Sequence, residues 1–100
     1  MAVADSMLQL KVRATLVRNW VETRMLNYNV IGGVVHMQGM LVITYEHPDF
    51  DPGDEYGVSK RALLNLERDL RRIDGVRAIH YDLTNWVHSG GEWIKRRYIR

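Results

Sequence analysis

The side chains able to do chemistry here are four histidines (His36, His47, His80 and His88), a run of carboxylates between Glu46 and Ser59, and a set of cationic residues weighted toward the C-terminus. Nucleophilic catalysis needs a Ser or Thr, a His to take its proton and a carboxylate to orient that His. Strand alternation would put His36, His80 and Asp82 on one outer sheet face if their strands pair. No Gly-x-Ser-x-Gly elbow accompanies them. Two strand histidines on a solvated face are ordinarily just polar surface, so no catalytic residue is assigned and the chain is expected not to be an enzyme. The absence of cysteine excludes disulfides, thiolate metal sites and cysteine nucleophiles.

The carboxylates Glu46, Asp49, Asp51, Asp54 and Glu55 sit with no Lys or Arg among them, and Asp49 to Glu55 superficially resembles a calcium loop. In an EF-hand the third ligand is followed by the glycine and a glutamate closes the loop at its twelfth position. Here Gly53 occupies the third ligand's place and Lys60 the twelfth. The segment reads as a solvated acidic turn, and no metal or cofactor is expected. A phosphate-cradling Gly-x-x-x-x-Gly-Lys loop is also missing.

The net charge of +2 conceals a basic body around that acidic loop. Arg61, Arg68 and Arg72 stack along one side of a predicted helix, and Lys95, Arg96, Arg97 and Arg100 alternate with Trp93, Ile94, Tyr98 and Ile99. Together these cations are the candidate anion-binding residues. Aromatics among cations suit an anionic membrane surface or single-stranded nucleic acid. The simpler reading is that the tail folds back on the acidic loop.

These residues have to be positioned by elements legible in the pattern. Asp5-Ser6 can start a helix by accepting its first free N–H groups. From Met7 to Leu26 the positions Met7, Leu10, Ala14, Val17, Val21 and Met25 define one apolar helical face, taken as the core face. A second apolar row, Leu8, Val12, Leu16 and Trp20, either widens the core contact or meets a partner. Residues 8–16 also alternate as a strand would, but twenty residues without a breaker favour a helix. Asn27 to Ile31 predicts a strand, Gly32-Gly33 a tight turn, and Val34 to Glu46 a second strand in which Gly39 marks a bulge or a close backbone approach. His47 to Gly57 is a loop. Ser59 caps a second helix running to about Asp74 with Ala62, Leu63, Leu66, Leu70 and Ile73 inward, and Gly75 ends it. Val76 to His88 predicts the last strand, with Ile79, Tyr81 and Leu83 on one face and His80, Asp82, Thr84 and Trp86 on the other.

The expected fold class is α+β: an αββαβ order with both helices packed on one face of a small three-stranded mixed sheet. The chain reads as a single domain over residues 1–100, with a folded core at 5–88 and a basic, aromatic tail at 89–100. On the sheet's uncovered face Met40, Val42 and Trp86 have no obvious cover, and with Trp93 they form the candidate interface.

Several segments together resemble BON domains. Asp5-Ser6 with Lys11-Val12-Arg13-Ala14-Thr15-Leu16-Val17 is similar to that family's opening helix. Val35-His36-Met37-Gln38-Gly39-Met40-Leu41 is similar to its apolar-x-apolar-x-Gly-x-apolar strand. A helix ending in Asp74-Gly75-Val76, followed by a strand with Ile79 and Leu83, is similar to its close. The likeness spans about Asp5 to Val87 and implies a non-catalytic module that binds phospholipid or other ligands. The long acidic loop and the Arg-rich tail depart from the pattern.

The partners expected are a second copy of the chain, through the open sheet face or an edge strand, then an anionic lipid or another protein. Nucleic acid ranks last because the Gly-x-x-Gly backbone clamp of KH domains is absent. The first residues carry no basic-then-apolar leader, and no stretch is apolar enough to span a bilayer, which predicts a cytoplasmic chain.

Overall fold

The computed structural model describes residues 4–96. Its elements run α1 (Asp5–Arg18), a 3-10 turn (Thr23–Met25), β1 (Leu26–Ile31), β2 (Val34–Gly39), α2 (Lys60–Arg71), β3 (Ala78–Leu83), β4 (Trp86–Ser89) and β5 (Glu92–Lys95). The fold is α+β. β1 and β2 pair antiparallel around Gly32-Gly33, whose φ angles of 57° and 78° are those of a two-residue hairpin turn. β3 lies parallel to β2 on its other side, so the three-stranded sheet is mixed, in the order β1-β2-β3. β4 and β5 form a second, two-stranded sheet.

α1 is shorter than its pattern suggests and turned the other way. Its buried residues are Leu8, Val12, Thr15 and Leu16, the row expected to be secondary. Met7, Leu10, Ala14 and Val17, expected in the core, face solvent, and Leu10 is 65% exposed. Periodicity found both rows but could not rank them, because apolar residues line two sides of the helix. Leu8, Val12 and Leu16 each contribute about 1.5–3 kcal/mol by burial, an upper estimate. Asp5 opens the helix without capping it; its carboxylate accepts the Gly32 and Gly33 N–H groups at 2.8 and 3.1 Å and so braces the hairpin turn. The Gln9 amide bonds to the Tyr28 C=O and the Val30 N–H, which occupies backbone groups along the outer edge of β1.

The helix stops at Arg18 because the next turn closes as a Schellman motif. The Val21 N–H bonds the Leu16 carbonyl, the Trp20 N–H bonds the Val17 carbonyl, and Trp20 takes a φ of 58°. A bulky residue in that left-handed conformation costs about 1–2 kcal/mol. Glycine usually marks such an end, and its absence hid the boundary. The Asn19 side chain secures the terminus through the Thr15 carbonyl and Asp69.

β2 ends at Gly39, not at residue 46. Gly39 has a φ of 108°, and a Cβ there would lie 2.8 Å from the Met25 carbonyl oxygen, so the expected close approach is real. The last expected strand divides in two: the Asn85 amide bonds both the Leu41 N–H and C=O in place of a strand backbone, and the chain turns into β4. Residues 92–95, expected in a tail, become β5. α2 begins as its pattern suggests, with Ser59 accepting the Ala62 N–H at 3.1 Å and Ala62, Leu63, Leu66 and Leu70 buried, but it stops at Arg71, short of Asp74. Both helices, the mixed sheet, Trp86 and Trp93 contribute to one apolar cluster. Among the described residues, no helix is long and apolar enough to cross a membrane.

Candidate interaction surface

Two outward surfaces emerge. The first is the solvent side of α1. Met7, Leu10, Ala14 and Val17 are spaced by three, four and three residues, the interval of a narrow coiled-coil seam. At about 1.5 Å per residue the seam is about 15 Å long. Met7, Leu10 and Val17 are 50–65% exposed although rigidly held by the buried row behind them. Lys11, Arg13 and Arg18, all exposed, flank it. The half-exposed, strained Trp20 stands at its C-terminal end, where the Trp20 carbonyl accepts the Thr44 N–H beside exposed Tyr45.

The second surface is the outward side of the three-stranded sheet. The register aligns Asn29, His36 and His80 in one row and Asn27, Gln38 and Asp82 in the next. His36, His80 and Asp82 therefore share this face, as their spacing suggested. The His36 and His80 rings meet edge to face with centroids 5.1 Å apart. A concavity of about 310 Å³ beside His36 is lined by Asn27, Tyr28, Asn29, Ile31, His36 and Gln38. No nucleophile joins the histidines in these rows, so the arrangement offers polar contacts rather than a proton-relay triad.

The expected interface residues do not lie on that face. Trp86 and Trp93 are each 4% exposed, inside the chain's own core. Met40 and Val42 are half-buried beyond the end of β2, with their backbones bonded to Met25 and Glu22. The sheet's outward side is polar along its His36 and Gln38 rows, with an apolar Ile31–Val34–Ala78 row at the hairpin end where Ile31 is 61% exposed, and the longer apolar surface is the one on α1.

The expected anion-binding residues divide. Arg61, Arg68 and Arg72 are exposed on α2, with Arg68 near Asp69 at 3.5 Å. Lys95 pairs with Asp54 of the acidic loop, the fold-back contact that the charge map suggested, and Arg96 is exposed. Arg97 and Arg100 lie outside the described residues. Burial works against the Asp54 carboxylate, but Lys95 and the Val58 and Tyr56 N–H groups outweigh it and hold its pKa below the ordinary 3.8. The ionised form thus stabilises the fold above pH 3.8, and this contribution is lost as pH falls through the lower folded value. The remaining loop acids are largely turn-builders: Asp51 accepts the Gly53 N–H and Asp49 accepts from Asn65.

One cluster escaped sequence reasoning because its members come from α2, β3, β4 and β5. His88 Nε2 lies 3.0 Å from Glu67 Oε2, and Arg71 approaches the same carboxylate at 3.5 Å. The Tyr81, His88 and Trp93 rings pack mutually at 4.6–5.1 Å. Burial, reinforced by the Glu67 charge, pushes the Tyr81 phenol far above its ordinary value. These contacts pin the β4–β5 hairpin to α2 and β3. No protein-family model and no curated protein matches the chain.

Proposed function

We propose that this chain is a non-catalytic binding module of BON-like αββαβ design, in which both helices shield one side of the mixed sheet, and that it acts by protein contact through the outward seam of α1. The observation that carries this reading is the row Met7, Leu10, Ala14 and Val17, apolar and solvent-facing on a helix whose opposite row fills the core. The occupant that fits best is a second copy in antiparallel orientation. A two-fold axis at Val12 sets Leu10 against the partner's Ala14 and Met7 against the partner's Val17, large against small at every layer. Antiparallel helix dipoles also oppose favourably.

Magnitudes make this a weak dimer. Burying the exposed half of Met7, Leu10 and Val17 in both copies yields about 1 kcal/mol each, about 6 kcal/mol in all. That is close to the lower end of the roughly 4–15 kcal/mol cost of association. Across the seam Lys11 faces the partner's Arg13, and Arg13 the partner's Lys11, costing a few tenths of a kcal/mol per pair. Salt screens that repulsion, so self-association tightens as ionic strength rises.

The exposed Arg61, Arg68 and Arg72 stripe, with the same α1 cations, favours a second reading: peripheral contact with anionic phospholipid. That contact weakens with salt, so the two readings move in opposite directions. Light scattering of the wild type and of Leu10→Glu at low and high salt is the test. The proposal expects a concentration-dependent mass in the wild type that grows with salt and is absent in Leu10→Glu. A wild type monomeric at every concentration and salt would refute it.

A further inference from the structure

Of the four histidines, two are already engaged: His88 with Glu67, and His47, whose Nδ1 accepts the Asp49 N–H. His36 and His80 touch one another instead, on a solvent-facing side of the sheet. In-register positions on adjacent strands hold such a pair with little freedom to part, because both strands belong to a hydrogen-bonded ladder. An imidazole nitrogen ligates a divalent transition metal at about 2.0–2.1 Å, so each ring centroid lies about 3.2 Å from the ion. At a tetrahedral angle, two such centroids are about 5.2 Å apart. The His36–His80 centroid separation is 5.1 Å.

The rings are inclined at 85°. Ligation requires the ion to lie in each ring's plane on the lone-pair axis of a ring nitrogen, so the edge-to-face pair must open by a turn of one ring about χ2 before both can share an ion. His80, being exposed, has room to turn.

We propose that His36 and His80 are the two protein ligands of an open site for an imidazole-preferring divalent cation such as Zn²⁺, Ni²⁺ or Cu²⁺. Imidazole suits this class, whereas Mg²⁺ and Ca²⁺ favour oxygen donors. Among the described residues, no group of three or more His, Asp or Glu side chains is placed to cage an ion. The site is therefore an exchangeable one, with its other coordination positions left to water or to a small ligand. The concavity beside His36, with the Asn27, Asn29 and Gln38 amides around it, supplies the room and the hydrogen-bonding groups to hold that ligand. Asp82, two residues beyond His80 on the same face, adds negative charge favouring a cation.

Isothermal titration of the full chain with NiCl₂ and with ZnCl₂ at neutral pH tests this, with MgCl₂ as the control. One Ni²⁺ or Zn²⁺ per chain is expected, with no Mg²⁺ signal, and His36→Ala and His80→Ala should each weaken binding by more than about tenfold. Because both positions are at the surface, thermal melting of each variant will confirm folding, and the wild type offers a readout free of substitution. Sub-stoichiometric Cu²⁺ should broaden the His36 and His80 ring resonances before those of His47 and His88. A dissociation constant weaker than about a millimolar, unchanged affinity in the double variant, or broadening centred on another histidine would each overturn the assignment.

Discussion

The solvent side of α1 and the solvent side of the sheet are opposite in character. The helix presents Met7, Leu10, Ala14 and Val17, whereas the sheet presents Asn27, Asn29, His36, Gln38, His80 and Asp82, with Ile31 as its one strongly exposed large apolar side chain among the described residues. Sequence patterning placed the polar residues of that face correctly but added Met40, Val42 and Trp86 to it, and it turned the Met7, Leu10, Ala14 and Val17 row of the helix inward. Both errors have physical causes. A helix with apolar residues on two sides satisfies its period whichever side goes inward, so the choice depends on tertiary packing. The sheet face looked partly apolar because β2 and β3 were each extended past the points where the chain leaves the sheet, which drew Met40, Val42 and Trp86 onto a surface they never reach.

The largest effect expected from this contrast lies on α1 itself. Leu16→Ala should cost about 2–5 kcal/mol, because the side chain is fully buried. Leu10→Ala should change stability by no more than about 0.5 kcal/mol. Urea denaturation of the two variants compares the faces directly, and similar losses would erase the distinction between them.

Trp20 sharpens the comparison at the end of the seam. Trp20→Gly keeps the left-handed conformation of the helix end but relieves the roughly 1–2 kcal/mol that it costs a bulky residue, so the melting temperature should rise. A fall would mean that the indole makes stabilising contacts exceeding that strain. The smallest effects belong to the sheet. Asn29→Ala and His80→Ala should each leave stability within about 0.5 kcal/mol of the wild type, since neither residue is buried. A loss above about 1 kcal/mol would show that this face supports the fold.

What could be read from the residues depended on how one-sided each signal was. α2 was legible in its start and its inward face, since Ser59 is a strong cap and its apolar positions fall on one side, although it ends at Arg71 and not near Asp74. The Gly32-Gly33 hairpin was legible for the same reason: two glycines between alternating strands leave few other conformations. Gly90-Gly91 is the same kind of turn, but the strands it joins, Trp86–Ser89 and Glu92–Lys95, are only four residues each and too short for alternation to announce a hairpin. The end of α1 was hidden because Trp20 fills a position where glycine normally announces a C-terminus. His36 and His80 could be placed on one face by alternation, while their adjacency required the β2–β3 register. The Glu67–His88 contact had no local signal at all, since it joins α2 to a hairpin that was read as strand end and tail.

The claim on which the functional account rests is that the α1 seam, and not the sheet, receives a partner. Amide chemical shifts of the ¹⁵N-labelled chain, followed while it is diluted at constant high salt, test this most directly. The account predicts concentration-dependent shifts concentrated at Met7, Leu10, Ala14 and Val17, with the Asn29–His36–His80 row unmoved. Shifts confined to that sheet row, or spectra identical at every concentration, would contradict it.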